Sequence, residues 1–283
     1  MKNRIIIIPV ILIILILGFY FYSNSKRGIN IGFKVPNYYV MTSVNYEDKK
    51  EVFEEKYNWY KGIENNNGVY LINTTYFSSD ILKEYRKYNV YDNIPLKSFW
   101  YFAVSPNYLK KMNINLDSNL IENAKNGARV FLIPDTYSEE EINIMKSYLK
   151  ERADRSFDPD SVRKPEETIS TVYYKNPKID FVIYTPNKEH FTFPSTDNVS
   201  LVEKAPIIFV CTTNNMIYFE SESLFATGIN SYIKFKDKET LNQYKNDEVL
   251  TKYNVQFEQL LDVYRINEKF GVVDKGVYSV FKD

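Results

Sequence analysis

Residues 5–22, IIIIPVILIILILGFYFY, form an unbroken run of eighteen apolar or aromatic residues, and this run constrains the chain more than any other feature. As a helix, at about 1.5 Å rise per residue, it spans roughly 27 Å, close to the hydrocarbon thickness of a bilayer. Twelve of its residues are Ile, Leu or Val. At about −0.3 to −0.6 kcal/mol each near the helix centre, they favour insertion by roughly 4 to 7 kcal/mol. Pro9 and Gly18 do not overturn this, because membrane helices tolerate both. A cleaved secretory signal would carry a shorter apolar region, about 7 to 15 residues, followed by small residues at the cleavage site. Here only Ser23 and Ser25 offer such a site, so the run reads as an uncleaved anchor, and no cysteine stands near its exit to take a lipid.

Lys2 and Arg4 precede the run and Lys26 and Arg27 follow it, so counting basic flanks nearly ties. The amino terminus adds charge to the short side, and long following domains translocate largely regardless of charge. The expected topology is therefore single-pass, with the N-terminus cytoplasmic and residues 28 onward outside the cell. The lone Cys211 cannot form an internal disulfide, so stability must come from a core. The 256 residues that follow Arg27 in this 283-residue chain are enough to build one. Lys plus Arg and Asp plus Glu balance at 36 each, with no basic stripe interleaved with aromatics, which argues against a nucleic-acid partner.

Along the body, residues 29–44 read as extended and 47–60 as helical. The turn signal NNNG (65–68) leads into a β-rich run at 69–77, and Ser78 or Ser79 caps a helix at 80–88. A strand at 98–104 passes into a helical turn at 105–112, with Ser105 as N-cap and Pro106 at its favoured first position. A strand at 128–135 precedes a helix at 138–153, where Ser138 and Glu141 form a capping box. The polar, Pro-containing stretch 155–168 marks a boundary dividing the body into subdomains 28–154 and 155–283, behind the anchor at 1–27. Beyond it, strands are expected at 170–175, 179–185, 190–195, 206–212 and 216–221. Helices at 238–253, capped by Asp237, and at 257–270 close the chain. Partial segregation of helices and strands favours an α+β fold over a doubly wound sheet.

Inventory disfavours most catalysis. The only imidazole is His190, with no nucleophile motif beside it, and zinc sites built on two histidines or paired cysteines are impossible. Phosphate-binding loops of the G-x-x-x-x-G-K or G-x-G-x-x-G type are absent, so ATP-driven work needs another chain. Glu139, Glu140 and Glu141 sit in the first turn of a helix, where the macrodipole favours negative charge. Asp158 and Asp160 resemble a piece of a calcium loop but lack its glycine and distal glutamate. Cys211 reads as a buried small hydrophobe, and Asn73 and Asn198 as chance glycosylation acceptors. Trp59 or Trp100, with neighbouring tyrosines, could line a groove, although core packing is the commoner use of such residues. A carboxylate pair of the glycosidase kind is a three-dimensional property that sequence does not settle. No catalytic, cofactor-binding or metal-binding residue is expected.

The segments AVSPNYLKKMNIN (103–115) and ARVFLIPDTYSEEEINIMKSYLKE (128–151) resemble the extracytoplasmic region of MacB/FtsX-like permeases. Together with the N-terminal membrane helix, FDPD (157–160) and KAPIIFVCTTNNM (204–216), their order is similar to the bacteriocin-associated integral membrane proteins of Gram-positive bacteria. The likeness covers most of residues 1–255. It implies a MacB-like outer domain that gates or transmits in antimicrobial-peptide export or immunity, beside a separate ABC ATPase and permease subunits in the lipid bilayer. No catalytic residue carries over. Such permeases have three further membrane helices after this domain, whereas residues 256–283 contain no second long apolar run, which implies a truncated, partial or stand-alone version. The competing expectations are a membrane-tethered binding or adhesion module and a carboxylate-dependent cell-wall hydrolase.

Overall fold

The computed structural model describes residues 35–45, 49–154, 169–194 and 199–269. Among them no helix is long and apolar enough to cross a membrane, and the anchor expected at 5–22 lies outside them. The first half of the chain runs through β1 (Tyr39–Ser43), α1 (Lys50–Ile63), β2 (Val69–Phe77), α2 (Ser79–Lys87), β3 (Phe99–Val104), α3 (Pro106–Lys111), α4 (Ser118–Lys125), β4 (Arg129–Pro134) and α5 (Glu139–Asp154). The second half contributes α6 (Val172–Lys175), β5 (Ile179–Tyr184), β6 (His190–Phe191), β7 (Val202–Glu203), β8 (Ile207–Val210), α7 (Tyr218–Glu222), β9 (Ile233–Phe235), α8 (Lys238–Asn242), α9 (Glu248–Lys252), β10 (Gln256–Gln259) and α10 (Leu260–Lys269).

The fold is α+β, built on a mixed sheet of eight strands in the order β10-β1-β9-β2-β3-β8-β4-β5. Only β3 with β8 and β4 with β5 run parallel. The polar stretch 155–168 lies outside the described residues, and strands from either side of it interleave: β8 sits between β3 and β4, and β9 between β1 and β2. Strands β3, β4 and β8 are buried along their whole length, because both faces of the sheet are covered. On one face Tyr101, Phe131, Phe209 and Phe235 pack against Phe53, Tyr57 and Tyr60 of α1 and Tyr148 of α5. On the other, Trp100, Phe102, Leu132 and Ile208 pack against Tyr108 and Leu109 of α3, Phe191 and Tyr264.

Local chemistry explains several helix starts. Ser78 Oγ accepts from the Ile81 N–H at the start of α2, and the Asp237 carboxylate from the Thr240 N–H at the start of α8. At α5 the capping box forms as expected: Ser138 Oγ accepts from Glu141 N–H at 3.2 Å while Glu141 Oε2 accepts from Ser138 N–H at 2.9 Å.

Four expectations are corrected. Where strands are expected at 170–175 and 216–221, residues 172–175 and 218–222 form short helices, although Val, Tyr and Phe are prominent in them. Tertiary anchors override β-propensity there: Thr171 donates to the Met216 carbonyl, and a helical turn lets Glu220 accept from the Ile217 N–H. The helix expected at 238–253 is two, because Asp247 caps a fresh start by accepting from the Val249 N–H at 2.9 Å. The helix expected at 257–270 begins only at Leu260, and residues 256–259 instead pair antiparallel with β1 as the sheet's edge strand.

Candidate functional site

Strand β2 is nine residues long and β9 only three, so β9 pairs with Val69, Tyr70 and Leu71 and then departs. The remainder of β2, Asn73–Phe77, keeps β3 on one side and, among the described residues, has no strand on the other. A cavity of about 590 Å³ lies along this stretch, lined among others by Thr74, Tyr76, Trp100, Phe193, Asn230 and Tyr232. That volume is within the usual range for small-ligand and peptide pockets, about 300–1,000 Å³. None of the described lining residues is charged.

Its walls are fixed from both faces of the sheet. On one, Thr74 Oγ1 donates to the Thr192 carbonyl, bringing the 192–194 segment over the strand. On the other, Asn73 Nδ2 donates to the Tyr232 hydroxyl at 2.8 Å. Phe193 adopts φ 49°, a left-handed conformation that is a strained outlier for an aromatic residue, and its ring stacks on Tyr38 at 6.2 Å. Trp100 lies against Tyr76, ring centres 5.2 Å apart. Of the two tryptophans that sequence marked for a groove, Trp100 lines this one. Trp59 instead packs edge-on to Phe225 on the opposite face and lines none of the three cavities described.

Behind the sheet, a polar cluster joins β4, β8 and the 211–222 segment. Arg129 and Glu220, 3% and 3% exposed, form a bidentate ion pair with both N–O distances 2.8 Å. The guanidinium also donates to the Asn215 carbonyl and lies 4.1 Å from the Phe209 ring centre. Asn215 donates to the carbonyls of Ala128 and Val210 and accepts from the Thr212 N–H. Glu64 accepts from both the N–H and the hydroxyl of Thr213, and burial pushes its carboxyl upward against those two bonds. Cys211, buried within this cluster, has its thiol pushed well above the ordinary range by burial and by Glu220. Apart from Arg129 Nε, which is buried with no hydrogen-bond partner among the described residues, these groups find their partners within the cluster, which ties the start of β4 to the end of β8.

Three further expected residues are placed. His190 is buried in β6 opposite Glu203, and burial with Lys188 nearby pushes its imidazole down to about 4. Glu140 and Glu141 face a second cavity, of about 450 Å³, where Glu141 is tied to Lys97 at 2.6 Å as well as to Ser138. Asp158, Asp160 and Asn198 lie outside the described residues. Among the described residues no group of three His, Cys, Asp or Glu is arranged to hold a metal ion. Sequence reading missed Arg129, Glu220 and Lys234. The available signal was a single cation at the head of the apolar run RVFLIP and another inside IKF, each of which must find partners when buried.

No protein-family model matches the chain, and no characterised protein or solved structure is detectably similar to it.

Proposed function

We propose that this chain is a membrane-tethered domain displayed outside the cytoplasm, which works by contact with other polypeptides and carries out no chemistry itself. The observation that carries the reading is the uncharged groove beside Trp100, whose size and lining of rings, hydroxyls and amides suit a polypeptide segment rather than a charged cofactor. Residues 5–22 supply the tether, long enough for one passage through the hydrocarbon layer. The engagement of Glu64, Arg129 and Glu220 with each other's surroundings supports a structural use for the buried charges. The resemblance carried by residues 103–115, 128–151 and 204–216 supports the finer reading of a MacB-like outer domain of a bacteriocin-associated permease. In that role it acts beside a separate ABC ATPase in antimicrobial-peptide export or immunity.

Two measurements separate these levels. Protease added to intact Gram-positive cells expressing the full chain should digest the body; digestion only after lysis overturns the extracytoplasmic tether. Purification in mild detergent should recover an ATP-hydrolysing partner, and recovery of none overturns the permease reading while leaving the tether standing. The Trp100–Tyr76 pair also favours a second reading, a surface glycan-binding module. Quenching of tryptophan fluorescence by soluble wall glycans, and not by peptides, would select it.

A further inference from the structure

Where β9 leaves β2, the last paired backbone groups are satisfied by special means. Ile72 N–H donates to the Tyr232 carbonyl at 2.8 Å, and Ile72 C=O accepts from the buried Lys234 ammonium at 3.0 Å. Leu71 C=O, by contrast, faces β3, accepting from the Ser105 N–H at 3.0 Å. Because backbone polar groups alternate in direction along a strand, Asn73, Thr75 and Phe77 direct theirs toward β3, and Thr74 and Tyr76 direct theirs toward the open side. Among the described residues nothing pairs with those two N–H and two C=O groups. They form the floor of the groove, half-buried, with the 192–194 segment on one wall and Tyr232 on the other.

A row of outward donors and acceptors at a two-residue period matches one kind of molecule, an extended polypeptide. We propose that the groove takes an extended, uncharged segment of a partner protein as an added strand beside Asn73–Phe77. The segment pairs with the backbone of Thr74 and Tyr76 and turns every second side chain, β-branched or aromatic, toward Trp100 and Phe193. Five residues of β2 at about 3.3 Å each offer roughly 17 Å of edge, the length of an ordinary short strand. The lining sets the partner's charge: its described residues present hydroxyls, amides and rings and no ion, so a charged side chain entering it would lose water and gain no counter-charge from them. The recessed floor disfavours a second copy of this chain, because two floors, each between its own walls, cannot meet edge to edge.

The inference rests on the groove being a contact site, and names how the contact is made. Its test uses the full chain in detergent micelles, on which short random peptides displayed on phage are selected. Enrichment should fall on uncharged sequences alternating in β-branched or aromatic residues. The enriched peptide is then synthesised with single N-methyl groups at each amide in turn. Methylation should weaken binding by about tenfold or more at one parity only, since an added strand directs alternate amides to its partner. On binding, hydrogen exchange at the Thr74 and Tyr76 amides should slow by about tenfold or more, with Thr75 unchanged. Failure to enrich any such sequence overturns the proposal, as does equal tolerance of N-methylation at every position. Slow exchange at Thr74 and Tyr76 without peptide also overturns it, because the edge would then be filled by this chain itself or by a second copy. Digestion by external protease and recovery of an ATPase do not depend on any of these outcomes.

Discussion

Lys234 tests how burial and charge trade in this fold. Its side chain is 1% exposed, donates to the carbonyls of Ile72 and Ser231, and lies 4.7 Å from the centre of the Phe193 ring. It faces Val40 on β1 and Tyr70 on β2, and among the described residues no carboxylate offsets its desolvation, which pushes the amine from 10.5 down to about 7. The unfolded chain keeps the ordinary value, so above pH 7 it binds a proton that the folded chain has released. Stability should therefore rise with pH up to the unfolded value and be lost as pH falls toward 7. Between about pH 7 and 8.5 those two values give a gain on the order of 2 kcal/mol. Cys211 opposes it weakly: its buried thiol stays protonated while an unfolded thiol is half-ionised near pH 8.5, a loss of well under about 1 kcal/mol. The net rise is on the order of 1 kcal/mol. Urea unfolding of the full chain in detergent, followed by fluorescence of Trp59 and Trp100 on opposite faces, measures it. In Lys234→Met the rise should vanish and leave the small fall from Cys211. The neutral-pH stability of that variant is less informative, because relief of about 4 kcal/mol of desolvation is set against two carbonyls left without a donor, at about 1–3 kcal/mol each. Equal pH slopes for both proteins would refute the argument.

Other perturbations should act as follows. Glu220→Gln leaves the Arg129 guanidinium buried without a counter-charge and should cost about 3–5 kcal/mol, whereas the double change Arg129→Met with Glu220→Leu should cost much less; a single-variant loss below about 1 kcal/mol in urea unfolding would contradict this. Tyr57 and Tyr60, on one face of α1, should respond oppositely to loss of the hydroxyl. Tyr57→Phe removes a 2.8 Å bond to the Thr213 carbonyl and should cost about 1 kcal/mol, while Tyr60→Phe removes a buried hydroxyl with no partner among the described residues and should gain about 1 kcal/mol; equal signs in thermal unfolding would refute the assignment. His190 remains neutral when folded. The stability this gives is complete above about pH 6.5 and should fall by on the order of 3 kcal/mol as pH drops to about 4, a loss that His190→Gln should remove from the acid limb of the stability curve.

Sequence revealed the parts of this fold whose signals are local. Strands β3, β4 and β8 announce themselves as continuous apolar runs because both their faces are covered, and α5 by a capping box complete within four residues. The failures share one cause, a partner far along the chain. Residues 172–175 and 218–222 look like strands until Thr171 reaches Met216 and Glu220 reaches Arg129, 91 positions away. Trp59 and Trp100 are indistinguishable as groove candidates until α1 carries one into the core and β3 sets the other beside an unfinished edge. That edge has no sequence signature of its own, since it is a difference in length between two strands separated by more than 150 residues: β2 continues for six residues past the point where β9 stops pairing. A strand pattern in VYLINTTYF says that its backbone will seek neighbours on both sides. Only the assembled sheet shows that, at Thr74 and Tyr76, one neighbour is β3 and, among the described residues, no strand takes the other side.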